Sequence, residues 1–332
     1  MGFFASLRVI LSAEESYFFM KVVLIGKGKM FTNLLEGLLD AGSDIVGILR
    51  YEKIQYPKWK LLLKDFFNPS HEKTIINQHK LHEIQCNSAN SEAFKKELIK
   101  LNTDILLVGT WGEKLRKEII NVPAIASVNV HPSILPKYRG PNPYLQNILH
   151  RETFSGITFH LMDENFDTGA ILSQKKIKIF PNDTSKELKA RTVFQARLMC
   201  AELMKKLEYG MVIPVAQNEK DMSYYPNIND YDKMLDFKKE TAEEIQARIR
   251  ALYPWLPAYV TYKDKFFIPN PYKLKIIKAN TGNLGDIINT DYKINSITVQ
   301  CPNGRALKMD DVKLYGFFNK PFTKSYIKRI KI

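Results

Sequence analysis

The sequence predicts an α/β protein, a doubly wound and mostly parallel sheet followed by a small C-terminal β-barrel. Three observations predict it. Short apolar runs at 21–25 (KVVLI), 44–50 (DIVGILR) and 104–109 (DILLVG) are spaced by helical patterns, the mark of βαβ units feeding a sheet buried on both faces. The chain has 332 residues, 45% of them apolar, enough for one large core and one small one. From Pro254 the pattern changes to short strands broken by Pro, Gly and Asn (AYVTY, FFIP, KLKIIKA, GDII, SITVQC, ALKMDDVKL), which reads as a barrel.

Residues 1–19 (MGFFASLRVILSAEESYFF) stand outside this pattern and are expected to be a disordered or mis-assigned extension, since Met20 directly precedes the first strand. MGFFAS has the spacing of an N-myristoylation signal. A secretory reading fails, because the lead carries one Arg, a short apolar stretch and no small-residue cleavage site. The expected organisation is then a catalytic domain at 20–210, a tyrosine-rich link at 211–240, and a helix plus barrel at 241–332.

After the first strand, GKGK turns into an amphipathic helix at 30–39. The G-x-G there invites a dinucleotide reading, but a third glycine is absent. The second strand ends in Arg50 rather than an acidic ribose ligand. Gly28 remains a candidate for lining the site, since ligands bind at the carboxyl ends of parallel strands. Residues 51–80 are basic, aromatic and irregular. His71, His79, His82 and Cys86 superficially suit zinc but lack a second ligand pair, so no metal is expected. A helix at 91–101, the strand at 104–109 with Trp111 and Gly112 at its end, and a helix at 114–120 stopped before Pro123 lead to a strand at 125–130.

That strand delivers Asn129 and His131, two apart and therefore on one side. Pro132 and Pro136 stiffen the loop that follows, and Gly140 lets it turn. The backbone of Ser133, Ile134, Leu135 and Pro136 is expected to face a flat, hydrogen-bonding ligand. A strand at 156–161 then leads to a turn holding Asp167. An amide, an imidazole and a carboxylate together can stabilise an oxyanion and move a proton. The competing reading makes the three residues structural caps, and spacing alone does not separate the two.

NVHPSILPKYRG followed by GITFHLMDENFDTG resembles the folate-dependent formyltransferases, with their N-x-H-x-S-L-L-P-x-x-x-G and D-x-G pattern. Asn129, His131, Ser133, Leu135, Pro136, Gly140, Asp167 and Gly169 meet it, with Ile134 in place of one leucine. The resemblance implies a Rossmann-like catalytic domain with 10-formyltetrahydrofolate as co-substrate, and Asn129, His131 and Asp167 as catalytic residues. The pterin would lie against Trp111, Gly112, Leu115, the 133–136 loop and Asp163. MLDF, ETAEEIQARIRALYPWLPAYV and NLGDII are similar to the C-terminal, OB-like region of the methionyl-tRNA branch, so the likeness spans residues 20–332. Glycinamide ribonucleotide formyltransferases lack that region. The implied acceptor is the amino group of initiator methionyl-tRNA, with a nucleotide-linked amino sugar or another small amine as the alternative.

Three departures surround the acceptor side. GKGKMF replaces the usual G-T-P-x-F-A, RYEKIQYPKWKLLLKDFF replaces a basic glycine-containing insertion, and RGPNPY replaces R-G-x-A-P. Arg139, with Lys137 beside it, is a candidate acceptor contact.

The net charge of +14 is uneven, with 14 Lys and Arg against 5 Asp and Glu after residue 250. A basic C-terminal module suits a polyanionic partner. Cys86, Cys200 and Cys301 are isolated, which fits a reducing, cytoplasmic setting. No apolar run reaches 18 residues, so no membrane span is expected, and no protein partner is implied. From 184 to 208 the pattern is one long helix. A helix at 241–252 has Thr241 as N-cap and Glu243 and Glu244 in its first turn.

Overall fold

A computed structural model describes residues 20–52, 70–229, 231–316 and 322–330. The expected extension at 1–19, with its acylation pattern, and residues 53–69 of the basic aromatic stretch lie outside the described residues. The chain divides into two compact units. One runs to residue 140 and adds Gly156–Ile177 and Arg191–Tyr224, and the other comprises Pro141–Ser155, Lys178–Ala190 and the chain from Tyr225 onward.

The first unit is organised on a six-stranded sheet of β1 (Lys21–Gly26), β2 (Asp44–Arg50), β3 (Ile105–Gly109), β4 (Ala126–His131), β5 (Phe154–Leu161) and β6 (Ile171–Lys178), in the order β2-β1-β3-β4-β5-β6. The first four strands pair in parallel. β5 runs antiparallel to β4. The parallel strands are apolar on both sides because both faces are covered. On one face Val23, Ile25, Leu49, Leu106 and Val108 pack with Phe94 and Leu98 of a helix at Glu92–Lys100 and with Ile119 and Ile120. Against β1 and β3, helix α1 (Gly28–Ala41) buries Met30, Phe31, Leu34, Leu35 and Leu38. That stripe recurs every three to four residues, and each side chain is worth roughly 2 kcal/mol of burial. Helix α2 is His71–Gln78 and α3 is Glu92–Lys100.

The helix expected at 114–120 is only α4 (Lys117–Ile120). Asn90 explains the shortening: its Nδ2 donates to the carbonyl of Lys114 at 2.8 Å and its Oδ1 accepts from the Arg116 amide at 2.7 Å, so those residues are held out of the helix. β6 (ILSQKKIK) was not anticipated, because three consecutive exposed positions interrupt its alternation.

The second unit contains α5 (Pro143–Leu149), the start of α6 (Ser185–Glu208), α7 (Ala242–Leu252) and the C-terminal strands. α7 packs on α5. Thr241 and Glu244 form a reciprocal capping box at its start, as the sequence implies. The barrel strands are present as two antiparallel sheets. β9 (Leu274–Lys278), β10 (Ile287–Asp291), β11 (Ser296–Cys301) and β12 (Arg305–Met309) take the order β10-β11-β12-β9. β7 (Val260–Tyr262), β8 (Lys265–Ile268) and β13 (Lys313–Leu314) take the order β13-β8-β7. The three cysteines are free. No described helix is long and apolar enough to cross a membrane.

Candidate active site

The parallel strands end in register, with Gly26 beside both Arg50 and Gly109 and Val108 beside Asn129. β4 therefore carries His131 past the shared edge. The antiparallel pairing of β5 sets His160 opposite Asn129 and Thr158 opposite His131.

Thr158 anchors the loop after β4. Its hydroxyl donates to the Ser133 carbonyl at 2.7 Å and accepts from the Leu135 amide at 3.3 Å and from Gln174 Nε2 at 2.9 Å. Ser133 Oγ closes the loop by donating to the Lys137 carbonyl at 2.7 Å. The carbonyls of Ser133, Ile134, Leu135 and Pro136 each already accept a bond, from Thr158, Lys137, Gln174 and Ser223 respectively. Ile134 and Pro136 are half-buried, with the Ile134 side chain against Gly156 of β5, and Ser133 and Leu135 are buried.

Asp167 is brought to this loop by the turn after β5. Gly169 makes the turn possible, because a Cβ there would lie 1.9 Å from the Leu161 carbonyl oxygen. Asp167 itself adopts φ 59°, in the left-handed region. Its Oδ1 lies 3.3 Å from His131 Nδ1 and accepts from Asn129 Nδ2 at 3.4 Å, and its Oδ2 accepts from the Gly140 amide at 3.2 Å. The three residues singled out in the sequence therefore meet at one carboxylate. Burial raises the Asp167 carboxyl, but His131, His160 and the Gly140 N–H outweigh it and hold it at about 2.

His131 is 5% exposed, and its Nε2 faces the Tyr138 carbonyl at 2.9 Å. Both of its neighbours are acceptors, a pattern that an imidazolium donating from both nitrogens satisfies. His160 is the contrary case. Its Nδ1 donates to the Leu161 carbonyl at 2.8 Å, which leaves Nε2 to accept from Asn129 Nδ2 at 3.0 Å. Burial pushes it down to about 4 despite Asp167, 3.8 Å away. His160 is therefore neutral, and the approach to Asp167 is not an ion pair. It fixes the Asn129 amide with the nitrogen toward Asp167. Its spacing two residues after Thr158 in GITFHL puts both on one face of β5, and the β4–β5 register then sets them beside His131 and Asn129.

The other candidates are more dispersed. Trp111 meets Tyr51 edge-on at 4.9 Å, and Lys27 Nζ lies 4.7 Å from the Tyr51 ring. Trp111 Nε1 is buried with no hydrogen-bond partner among the described residues, beside the exposed Gly112. Leu115 is buried in the core, with Trp111 and Met162 packed against the same cluster. Asp163 is exposed, and its Oδ1 accepts from Thr168 Oγ1 at 2.6 Å and the Asn165 amide at 2.9 Å, ordering the 163–168 turn. Gly28 lies past the end of β1, separated from β4 by β3. Arg139 is 6% exposed and donates to Glu219 through two bonds of 2.9 and 2.6 Å. Lys137 is exposed. His71 and His82 pair with Glu36 and Glu97. Among the described residues no three His, Cys, Asp or Glu side chains are grouped to hold a metal.

A family model described as formyl transferase matches residues 20–204, and one described as formyl transferase, C-terminal domain, matches residues 227–316. A methionyl-tRNA formyltransferase of Lachnospira eligens is 30% identical over 306 residues, covering 90% of this chain and 93% of that protein. One of Enterococcus faecalis is 28% identical over 299 residues, 89% of this chain and 92% of that protein. An N-formyltransferase of Helicobacter canadensis, crystallised with folinic acid and dTDP-3-aminofucose, shares the fold at a TM-score of 0.64 and 21% identity, over 88% of this chain and 99% of its own.

Proposed function

The chain belongs to the formyl transferase family, and on that premise we propose that it transfers a formyl group from 10-formyltetrahydrofolate to the amino group of methionyl-tRNA. The observation that carries the reading is the meeting of Asn129, His131 and Asp167 at the carboxyl edge of the sheet. Relatives named for methionyl-tRNA support the acceptor along about nine-tenths of the chain.

The donor brings an activated formyl carbon, and the chain's residues do the rest. Trp111 Nε1, unpartnered among the described residues, and the half-buried Pro136 suit a flat ring with polar edges, with Tyr51 against Gly112, Leu115 and Leu135 buried and Asp163 shaping the 163–168 turn. When the amine attacks, charge develops on the formyl oxygen. The Asn129 hydrogen held loosely by Asp167, at 3.4 Å, turns to that oxygen while His160 keeps the other. His131 stands in the same cluster, with its ring oriented by Asp167. Asp167, ionised far below neutral pH, draws the proton from the new ammonium, and that proton ends on the departing nitrogen.

The basic sheet edge fits a polyanionic acceptor. Lys275 stands opposite Lys308, and Lys278 opposite Arg305, on β9 and β12. Arg305 is paired with Glu243 at 2.6 Å and Lys308 lies 3.6 Å from Asp310, so the exposed Lys275 and Lys278 are the basic side chains this edge offers to phosphates. The acceptor-side departures favour a second reading, a nucleotide-linked amino sugar. Purified protein with 10-formyltetrahydrofolate, offered methionyl-tRNA and nucleotide-linked amino sugars separately, decides between them. Formylation of the tRNA is expected, and formylation of the sugar alone would overturn the assignment.

A further inference from the structure

Residues 215–224 show no helical or strand periodicity, yet they hold the two loops of the site together. Val215 bridges Ile171 at the start of β6 through reciprocal bonds of 2.9 and 2.8 Å. Ser223 brackets the loop after β4. Its Oγ accepts from the Tyr138 amide at 2.9 Å, its carbonyl accepts from the Arg139 amide at 2.9 Å, and its own amide donates to the Pro136 carbonyl at 3.3 Å.

Gln217 joins that loop to the other. Its Nε2 donates to the carbonyls of Asp167 and Gly169, both at 2.8 Å. Its Oε1 accepts from Arg139 Nη2 at 2.7 Å. Arg139 is in turn gripped by Glu219. The two groups that flank the His131 ring, the Asp167 carboxylate and the Tyr138 carbonyl, belong to the two loops that Gln217 connects. Both Asp167 and Tyr138 adopt left-handed backbone, at φ 59° and 61°, which side chains other than glycine adopt reluctantly. A backbone in that region persists when its surroundings over-determine it. Two hydrogen bonds from one amide, one of them to Asp167 itself, supply that constraint.

We propose that Gln217 is a positioning residue for formyl transfer: its amide ties the Asp167 turn to the Arg139 loop and so sets the separation of His131 and Asp167. Arg139, on this view, acts through Gln217 and not on the acceptor. The inference rests on the reaction proposed above.

Two variants of the full chain test it. Gln217→Glu keeps the length and the acceptor for Arg139 but has no hydrogens for the two carbonyls. Gln217→Met keeps the length and loses both functions. For Gln217→Glu, kcat should fall about 100-fold, the effect of a misplacement near 1 Å, with the donor KM little changed. The thermal midpoint should fall, because the two carbonyls lose their donor and meet a carboxylate oxygen instead. The Asp167 carboxyl, followed by its 13C resonance in the absence of substrates, should move from about 2 up into the ordinary carboxylate range. For Gln217→Met the same kinetic and titration changes should come with a lower thermal midpoint. Wild-type kcat, or a lowered kcat with an unmoved Asp167 titration, would overturn the proposal. The titration needs no turnover. A wild-type protein that transferred no formyl group would therefore contradict the reaction, while the titration would still judge the clamp.

Discussion

His131 Nδ1 lies 3.3 Å from Asp167 Oδ1, with the Tyr138 carbonyl 2.9 Å from the opposite ring nitrogen. An imidazole held between these two groups has its ring plane and position fixed within the cluster. His131→Ala should lower kcat about 1,000-fold, within the range of a lost acid–base and electrostatic group. Donor KM and the circular dichroism spectrum should change little.

His160 predicts an acid-sensitive fold. The folded chain keeps it neutral down to about 4, whereas an unfolded histidine takes a proton near 6.5. Its contribution is whole above about pH 6.5 and is lost as pH falls toward 4, on the order of 3 kcal/mol over the window. Urea unfolding at pH 7 and pH 4.5 should show the loss in wild type and not in His160→Met. The same variant should also lower kcat about tenfold, because the Asn129 amide loses the partner that orients it.

Asp167 predicts a second, lower window. Its folded pKa is depressed to about 2, so its contribution is present above the unfolded value near 3.9 and is lost as pH falls toward 2. The term is on the order of 2 kcal/mol. Asp167→Asn should flatten the stability profile in that range and abolish turnover at neutral pH.

Gly169→Ala should destabilise by about 2 kcal/mol or more, since its Cβ would meet the Leu161 carbonyl and force β5 and the turn apart. Thermal unfolding would show it. Activity should fall further than stability, because the same shift carries Asp167 away from His131.

Lys275→Glu with Lys278→Glu tests the basic edge. KM for methionyl-tRNA should rise, and the slope of log KM against log salt should fall by about 1 to 2. The thermal midpoint should change little, because Lys275 and Lys278 are exposed and Arg305 and Lys308 keep Glu243 and Asp310 as partners.

The strands β1 to β4 were legible because a parallel sheet covered on both faces leaves unbroken apolar runs. Asn129 and His131 were legible through the two-residue period of a strand. His160 was not read, because a lone histidine in an apolar strand acquires meaning only from the β4–β5 register. Gln217 left no trace at all, since a clamp made by one amide on two backbone carbonyls needs neither periodicity nor a motif. The partners of Arg139 were hidden for a related reason. A basic residue beside a site looks like a ligand contact until Glu219 and Gln217, about eighty residues later, are seen to occupy it.

The most direct test is the initial rate at which purified wild-type protein and His131→Ala make formyl-methionyl-tRNA from 10-formyltetrahydrofolate. The expected result is steady turnover by the wild type and a loss of about 1,000-fold in the variant, with both proteins folded. Equal rates for the two, or no formyl-methionyl-tRNA from the wild type, would contradict the account.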